Sequence, residues 1–431
     1  MEPYLIRDVR GSLALDSRGS PTVKVTVRLE GGSVGVSLAP SGASRGAREA
    51  LELRDGGSRW GGRGVGVAIA RVNEVIAPRL KGVDARLQGY IDGLLVALDG
   101  TPNKSRLGSN ATTPVSVAVA KAASAQLGLP LYRYLGGVGA RILPVPLMNV
   151  VNGGVHAGNE LSFQEFMIAP VGADSFSEAL RVGVEVYMSL REYLKERYGR
   201  SSINVGDEGG FAPPMRLVEE ALEALARAVE RSGYKLGSDV LLGLDVAANQ
   251  IYDASTATYT VDGRRLTSGE LLDYYLDLAS RYPIAYIEDP FNEEDLGSTA
   301  ELTRKLSGRS LVVGDDLYAT NVKYLERGIE ARATNAALLK VNQVGTLTEA
   351  LEYARLALQR GLRVVVSHRS GDTEDTFIAD LAVALNTGLI KTGAPARSER
   401  TAKYNRLLEI EEELGPIALY PGARPFKASL P

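Results

Sequence analysis

Six short apolar runs in the second half of the chain each finish on a polar residue: LLGLDV, IAYIED, LVVGDD, AALLKV, VVVSHR and LIKTG, carrying Asp245, Glu288, Asp315, Lys340, His368 and Lys391. Runs this short, rich in branched residues and bounded by turn or helix signals, suit strands buried on both faces of a parallel sheet. They recur at intervals of roughly 25 to 45 residues, and a strand, a loop and a covering helix consume about 30. The repetition predicts an α/β fold, a closed β/α barrel with its chemistry on the rim at the strand C-termini.

A barrel with its helices takes about 250 residues. The chain has 431, of which 45% are hydrophobic, so it can bury a second core and is expected to divide. Its first third reads differently from the rest. SPTVKVTVRLEGG and SVGVSLAP alternate apolar with polar residues around Gly31-Gly32, the pattern of a β-hairpin. Arg45 to Arg54 carries a helical pattern. Helical stretches such as VAIARVNEVIAP and PVSVAVAKAASAQLG then dominate between Trp60 and Gly139, broken at Pro78, Pro102 and Gly128. The expected organisation is a small α+β domain over residues 1–140 and a barrel domain over 141–431, joined near Gly136-Gly137 and Pro144. In the barrel half, Ser175-x-x-Glu178 and Thr267-x-x-Glu270 read as capping boxes opening amphipathic helices, the second ending before Pro283.

Net charge is −3 with both signs interspersed, which gives no reason to expect nucleic acid or an anionic membrane as partner. The absence of cysteine excludes disulfides, thiolate metal sites and cysteine nucleophiles together. MEPYLIRDVR has an acid and a proline where a secretory signal needs a basic start, and no run approaches the ~18 apolar residues of a membrane span. A soluble, cytoplasmic protein is expected. There is no Gly-Lys dipeptide for a Walker loop, no complete G-x-G-x-x-G after a strand and no H-E-x-x-H.

Three carboxylates, Asp245, Glu288 and Asp315, end three successive runs. Converging in an enclosed site they would raise one another's pKa unless a cation sat among them, and a hard divalent ion such as Mg2+ is the simplest compensation. One such acid usually caps a helix or pairs with arginine; three in series favour metal. Lys340 leaves an apolar strand toward the same rim, where burial or a neighbouring cation such as Lys391 would lower its pKa into the range of a base, although pairing with a carboxylate is an equal reading. The only two histidines, His156 in NGGVHAGN and His368 in VSHRSGDTEDT, lie beside glycine, where backbone can approach a ligand. Arg369 and Ser370 add a planar fork and a hydroxyl suited to phosphate. Glu208 in GDEGG and Glu165 in FQEFM resemble an acid pair opposite a lysine base, and an apolar setting can keep such an acid protonated.

These segments together resemble the enolase family of phosphopyruvate hydratases. The resemblance runs through LDSRGSPTVKVTV, PSGAS, EALELRDG, LDGTPNKSRLG, GGVHAGN, FQEFMIAP, VGDEGGFAP, YIEDPF, GDDL, LLKVNQVGT, VSHRSGDTEDTFIADL and IKTGAPARSERTAKYN. It implies a small domain capping a modified (β/α)8 barrel whose early strand order departs from a plain repeat, and a Mg2+-dependent dehydration of 2-phosphoglycerate to phosphoenolpyruvate. It further implies Asp245, Glu288 and Asp315 as ligands of a first Mg2+, with Ser44 in PSGAS helping to hold a second. Lys340 matches the general base and Glu208 the general acid, with Glu165 beside it. Lys391 and His156 match substrate-contacting residues, and His368, Arg369 and Ser370 the phosphate end. A homodimer or larger homo-oligomer is implied as well. Arg45 follows Ser44 where the family usually has threonine. A sister enzyme abstracting a proton beside another carboxylate, or a binding protein on the same scaffold, are the competing readings; VSHRSGDTEDT and PSGAS argue against the first, and the presence of both Lys340 and Glu208 against the second.

Overall fold

In a computed structural model of the chain, residues 2–42, 48–154 and 157–427 are described. The N-terminal part is built on an antiparallel sheet of β1 (Ile6–Leu15), β2 (Pro21–Leu29) and β3 (Val34–Leu38). β2 and β3 form the hairpin expected around Gly31-Gly32, in register from Lys24 opposite Leu38 to Arg28 opposite Val34. Alternation buries Val23, Val25 and Val27 in a core shared with helix Ser109–Gln126. That helix comes so close to β3 that a Cβ at Gly35 would stand 2.0 Å from the Ala118 carbonyl oxygen, so only glycine fits there.

The helix expected from Arg45 to Arg54 is absent over residues 48–54, while 45–47 lie outside the described residues. The local backbone bonds to distant partners instead: Ala50 N–H donates to the Gln343 carbonyl at 2.8 Å and Leu51 N–H to Asn103 at 2.7 Å. Tertiary pairing here overrides a helical pattern. At Pro78 the expected break is not seen: helix runs on from Gly66 through a π-helical turn over Arg71–Ile76 into Ala77–Leu80, and the proline, which donates no N–H, follows directly on that widened turn.

The second part is a closed eight-stranded barrel. Its strands are β4 (Val145–Asn152), β5 (Glu165–Pro170) and β6 (Val240–Asp245). A small three-stranded excursion follows, β7 (Tyr252–Asp253), β8 (Thr258–Val261) and β9 (Arg264–Leu266). The ring is completed by β10 (Ile284–Glu288), β11 (Leu311–Gly314), β12 (Ala336–Leu339), β13 (Arg363–Ser367) and β14 (Leu389–Lys391). It closes in the order β4-β5-β6-β10-β11-β12-β13-β14. Neighbours are parallel except at β5, which runs antiparallel to both β4 and β6. Both patterns open helices, but only the second closes as a capping box: Ser175 accepts from Glu178 N–H at the head of Phe176–Tyr198 while the Glu178 carboxylate turns to Arg181, and Thr267 and Glu270 cap each other at the head of Ser268–Arg281.

Side-chain alternation fixes what faces the barrel axis. Val145 and Leu147, Met167 and Ala169, Val313, Ala336 and Leu338, Val365 and Leu389 fill the interior. Stepping by two toward the C-terminal rim reaches Asn149, Asp315, Lys340 and Lys391. On β5 the same step runs backward, so Glu165 at its N-terminal end arrives at the rim formed by its neighbours' C-terminal ends. Register then lines up Glu165 with Asp245 and Asp245 with Glu288. Among the described residues no helix is long and apolar enough to cross a membrane.

Candidate active site

The rim surrounds a cleft whose lining includes Glu165, Glu208, Asp245, Asp315, Lys340 and Lys391, with His368, Arg369 and Ser370 at one side. At its floor, the ammonium of Lys391 bonds Asp245 Oδ2 at 2.7 Å and Glu288 Oε2 at 2.8 Å, and lies 3.2 Å from Glu165 Oε1. All four groups are buried. Burial alone would pull Lys391 down, but the three carboxylates outweigh it and push the amine well above its ordinary value. Burial and the neighbouring Asp245 push Glu288 up to about 8, and burial and Glu208 hold Glu165 well above the usual carboxylate range. Tyr286 donates its hydroxyl to Glu288 Oε2 at 2.5 Å, while Glu288 Oε1 is buried with no hydrogen-bond partner among the described residues.

Asp315 forms an ion pair with Lys340 and accepts a second bond from Gln343 Nε2 at 2.9 Å. Burial would lower Lys340, as the sequence suggested, but Asp315 reverses the sign and the amine is raised in this state. Lys340 is thereby held as a cation, contrary to the lowered value expected from burial or Lys391. Asp289 and Asp316 lie beside Asp315, with one carboxylate oxygen of each of the three within 4.8 Å of the others, a group that could hold a metal ion. Asp289 spends its two oxygens on the backbone N–H groups of Asp315 and Asp316, at 2.9 and 2.8 Å, and so shapes the turn after β11. The expected ligands Asp245 and Glu288 adjoin this group through Lys391 and the β6–β10–β11 register.

On the other side, Glu208 accepts from Asn149 Nδ2 at 3.0 Å, and its Oε2 is 3.3 Å from His368 Nε2. Burial pulls His368 down to about 4, against the opposing pull of Glu208. Arg369 is buried and forks onto Glu49 of the capping domain at 2.8 and 3.1 Å. Ser41 and Gly371 exchange backbone hydrogen bonds of 2.7 and 2.8 Å, joining the capping domain to the loop after β13. Ser44 and His156 lie outside the described residues. Sequence reasoning passed over Asn149, Tyr286, Gln343 and Arg400. Of these, Asn149 and Tyr286 carry an inward-parity signal, whereas Arg400 is one charge among many on a helix.

The donor set is all oxygen, three of its carboxylates compensate their burial with lysines, and one buried carboxylate oxygen is orphaned. These features fit a hard divalent cation. Fold and site define a barrel enzyme with an acid–base rim and an acidic cluster able to hold a metal. The family described as Enolase, N-terminal domain matches residues 6–135, and that described as Enolase, C-terminal TIM barrel domain matches 140–429. The enolase of Aeropyrum pernix is 59% identical over 419 residues, covering 97% of this chain and 96% of the relative. That of Methanopyrus kandleri is 59% identical over 413 residues, covering 96% and 97%, and that of Pyrococcus furiosus is 57% identical over 422 residues, covering 98% of each. The chain belongs to the enolase family, whose members are hydro-lyases of the phosphopyruvate hydratase type.

Proposed function

We propose that this cleft performs the reaction of its family, the reversible dehydration of 2-phosphoglycerate to phosphoenolpyruvate and water, with Lys340 as base and Glu208 as acid. The observation that carries the assignment is their opposition. Lys340 follows β12, Glu208 is tied to β4 through Asn149, and these strands stand three apart in the ring of eight, so amine and carboxyl enter one cleft from different sides. Lys340 acts only after losing the proton it holds against Asp315; with Asp315 turned to a bound cation the amine would lose the partner that raises it, and the neutral Nζ then takes the proton from carbon 2, whose electron pair forms the double bond to carbon 3 as the carbon–oxygen bond there breaks. Glu208 supplies the proton that turns the departing hydroxide into water. Glu165, buried and raised, lies against the Lys391 ammonium on the same side of the cleft as Glu208.

Asp245, Glu288 and Asp315 are the residues we assign to a first Mg2+ and Ser44 to a second; bound there, such ions supply positive charge against the charge that builds on the substrate carboxylate. Lys391 adds its own cation to that carboxylate. Arg369 and Ser370 bind the phosphate end, with His368 adjoining them against Glu208, and His156 contacts substrate near the reacting carbons. We assign the capping domain to 1–140 and the catalytic domain to 141–431, and we place the protein in the cytoplasm as a homodimer or larger homo-oligomer.

Exchange of the carbon-2 hydrogen with D2O separates the two roles. Lys340→Ala is expected to lose both exchange and dehydration, whereas Glu208→Gln loses dehydration and retains exchange. Retained exchange in Lys340→Ala would remove that lysine as the base.

A further inference from the structure

Arg400 lies on helix Ser398–Leu414 and is completely buried, with 0% of its surface exposed. Its guanidinium donates to the carbonyl oxygens of Arg369 at 2.7 Å, Ser370 at 2.6 Å and Asp207 at 3.0 Å, and contacts His368 Nδ1 at 2.6 Å. One side chain thus joins the loop after β13, which carries the residues assigned to the phosphate end, to the loop that carries Glu208. A planar fork of five donors suits this; a lysine could not reach both loops in one geometry.

The contact with His368 has only one chemical reading. Arginine has no acceptor and stays charged, so its N–H must point at a lone pair on Nδ1. The single proton of the neutral ring therefore sits on Nε2, which lies 3.3 Å from Glu208 Oε2 but is not aligned for a hydrogen bond to it in this state. We propose that Arg400 is a positioning residue that selects the Nε2–H tautomer of His368 and keeps that N–H beside the Glu208 carboxylate.

The inference rests on the assignment of Glu208 as acid. When Glu208 gives its proton to departing hydroxide, the carboxylate left behind finds a donor within reach; in the reverse direction the same N–H is at hand for the carboxylate that takes a proton from water. The proton of His368 itself does not leave. The charged groups facing the ring are Glu208, Arg400 and Asp372, and Asp372 is held by Lys403 at 2.9 Å. Burial and Arg400 both oppose a second ring proton, so the neutral tautomer persists well below neutral pH.

The chain has two histidines, so ring-nitrogen NMR of the 15N-labelled full-length protein resolves the question, with His368→Gln assigning the signals. The expected result in the wild type is a neutral ring protonated on Nε2 at pH 7. A ring protonated on Nδ1, or charged, overturns the proposal without any variant having to fold. In Arg400→Lys and Arg400→Gln, a mixture of tautomers is expected, with kcat down by about 10²-fold, KM little changed and carbon-2 exchange in D2O retained. A folded variant that keeps the single tautomer, or turns over at the wild-type rate, refutes the role of Arg400. Wild-type protein that does not turn over 2-phosphoglycerate counts instead against the reaction assigned to the cleft, and the tautomer measurement still stands by itself.

Discussion

Lowering the pH from 7 to 4.5 should destabilise the folded protein through His368 alone by about 2 kcal/mol. The ring's ordinary value is 6.5, and burial takes it to about 4 in the fold. Its folded value is the depressed one, so between these limits the unfolded chain binds a proton that the folded chain refuses, and stability falls as pH falls. The full difference is worth about 3 kcal/mol at 1.36 kcal/mol per pKa unit, and most of it is spent by pH 4.5. Other groups titrate in this range, so the quantity to measure is a difference: urea unfolding of wild type and His368→Gln at both pH values. The wild type should lose about 2 kcal/mol more than the variant over the interval. Equal losses, or an NMR titration placing the folded ring near 6.5, would refute the argument that burial beside Arg400 keeps the ring neutral.

Lys340→Ala should reduce turnover by at least about 10²-fold while far-ultraviolet circular dichroism stays that of the wild type, since general-base assistance is worth that much, although the unfolding midpoint falls because buried Asp315 loses its cation. Glu288→Gln should weaken binding of Mg2+ measured by calorimetry, and an unchanged titration would count against the carboxylate assignment. Lys391→Met leaves Asp245, Glu288 and Glu165 without their shared cation and should cost about 3 to 5 kcal/mol at pH 8 in EDTA, less at pH 5 where Glu288 and Glu165 take up protons; an unchanged urea midpoint would contradict this. Ser175→Ala should cost about 1 kcal/mol by removing the cap of helix Phe176–Tyr198, read from the same denaturation curves.

The rim was legible because a period of two and a polar terminus are both written in the run itself. AALLKV fixes not only a strand but the face on which Lys340 emerges, and the same holds for Asp315 and Lys391. The reversal of β5 is written more faintly. FQEFMIAP carries its acid at the front of the apolar run, where the other runs carry theirs at the back, and only a strand running the other way brings that acid to the common rim. What sequence could not supply was the partner of each charge. Lys340 as an isolated buried amine should be lowered, yet Asp315 lies against it and the sign inverts. Residues 48–54 look helical until Glu49 meets Arg369 and the backbone meets Gln343 from the barrel and Asn103 from its own part of the chain. Arg400 sits in SERTAKYNRLLEI among other charges, and its burial against two loops is a property of the fold, not of the pattern.

Ultraviolet absorbance of phosphoenolpyruvate formed from 2-phosphoglycerate, followed with Mg2+ and again with EDTA, addresses the assembled site most directly. Steady formation with Mg2+ that stops with EDTA is the predicted result. Absence of product with Mg2+, or formation undiminished by EDTA, would contradict the proposal that the carboxylates of this rim hold a metal facing the Lys340 amine.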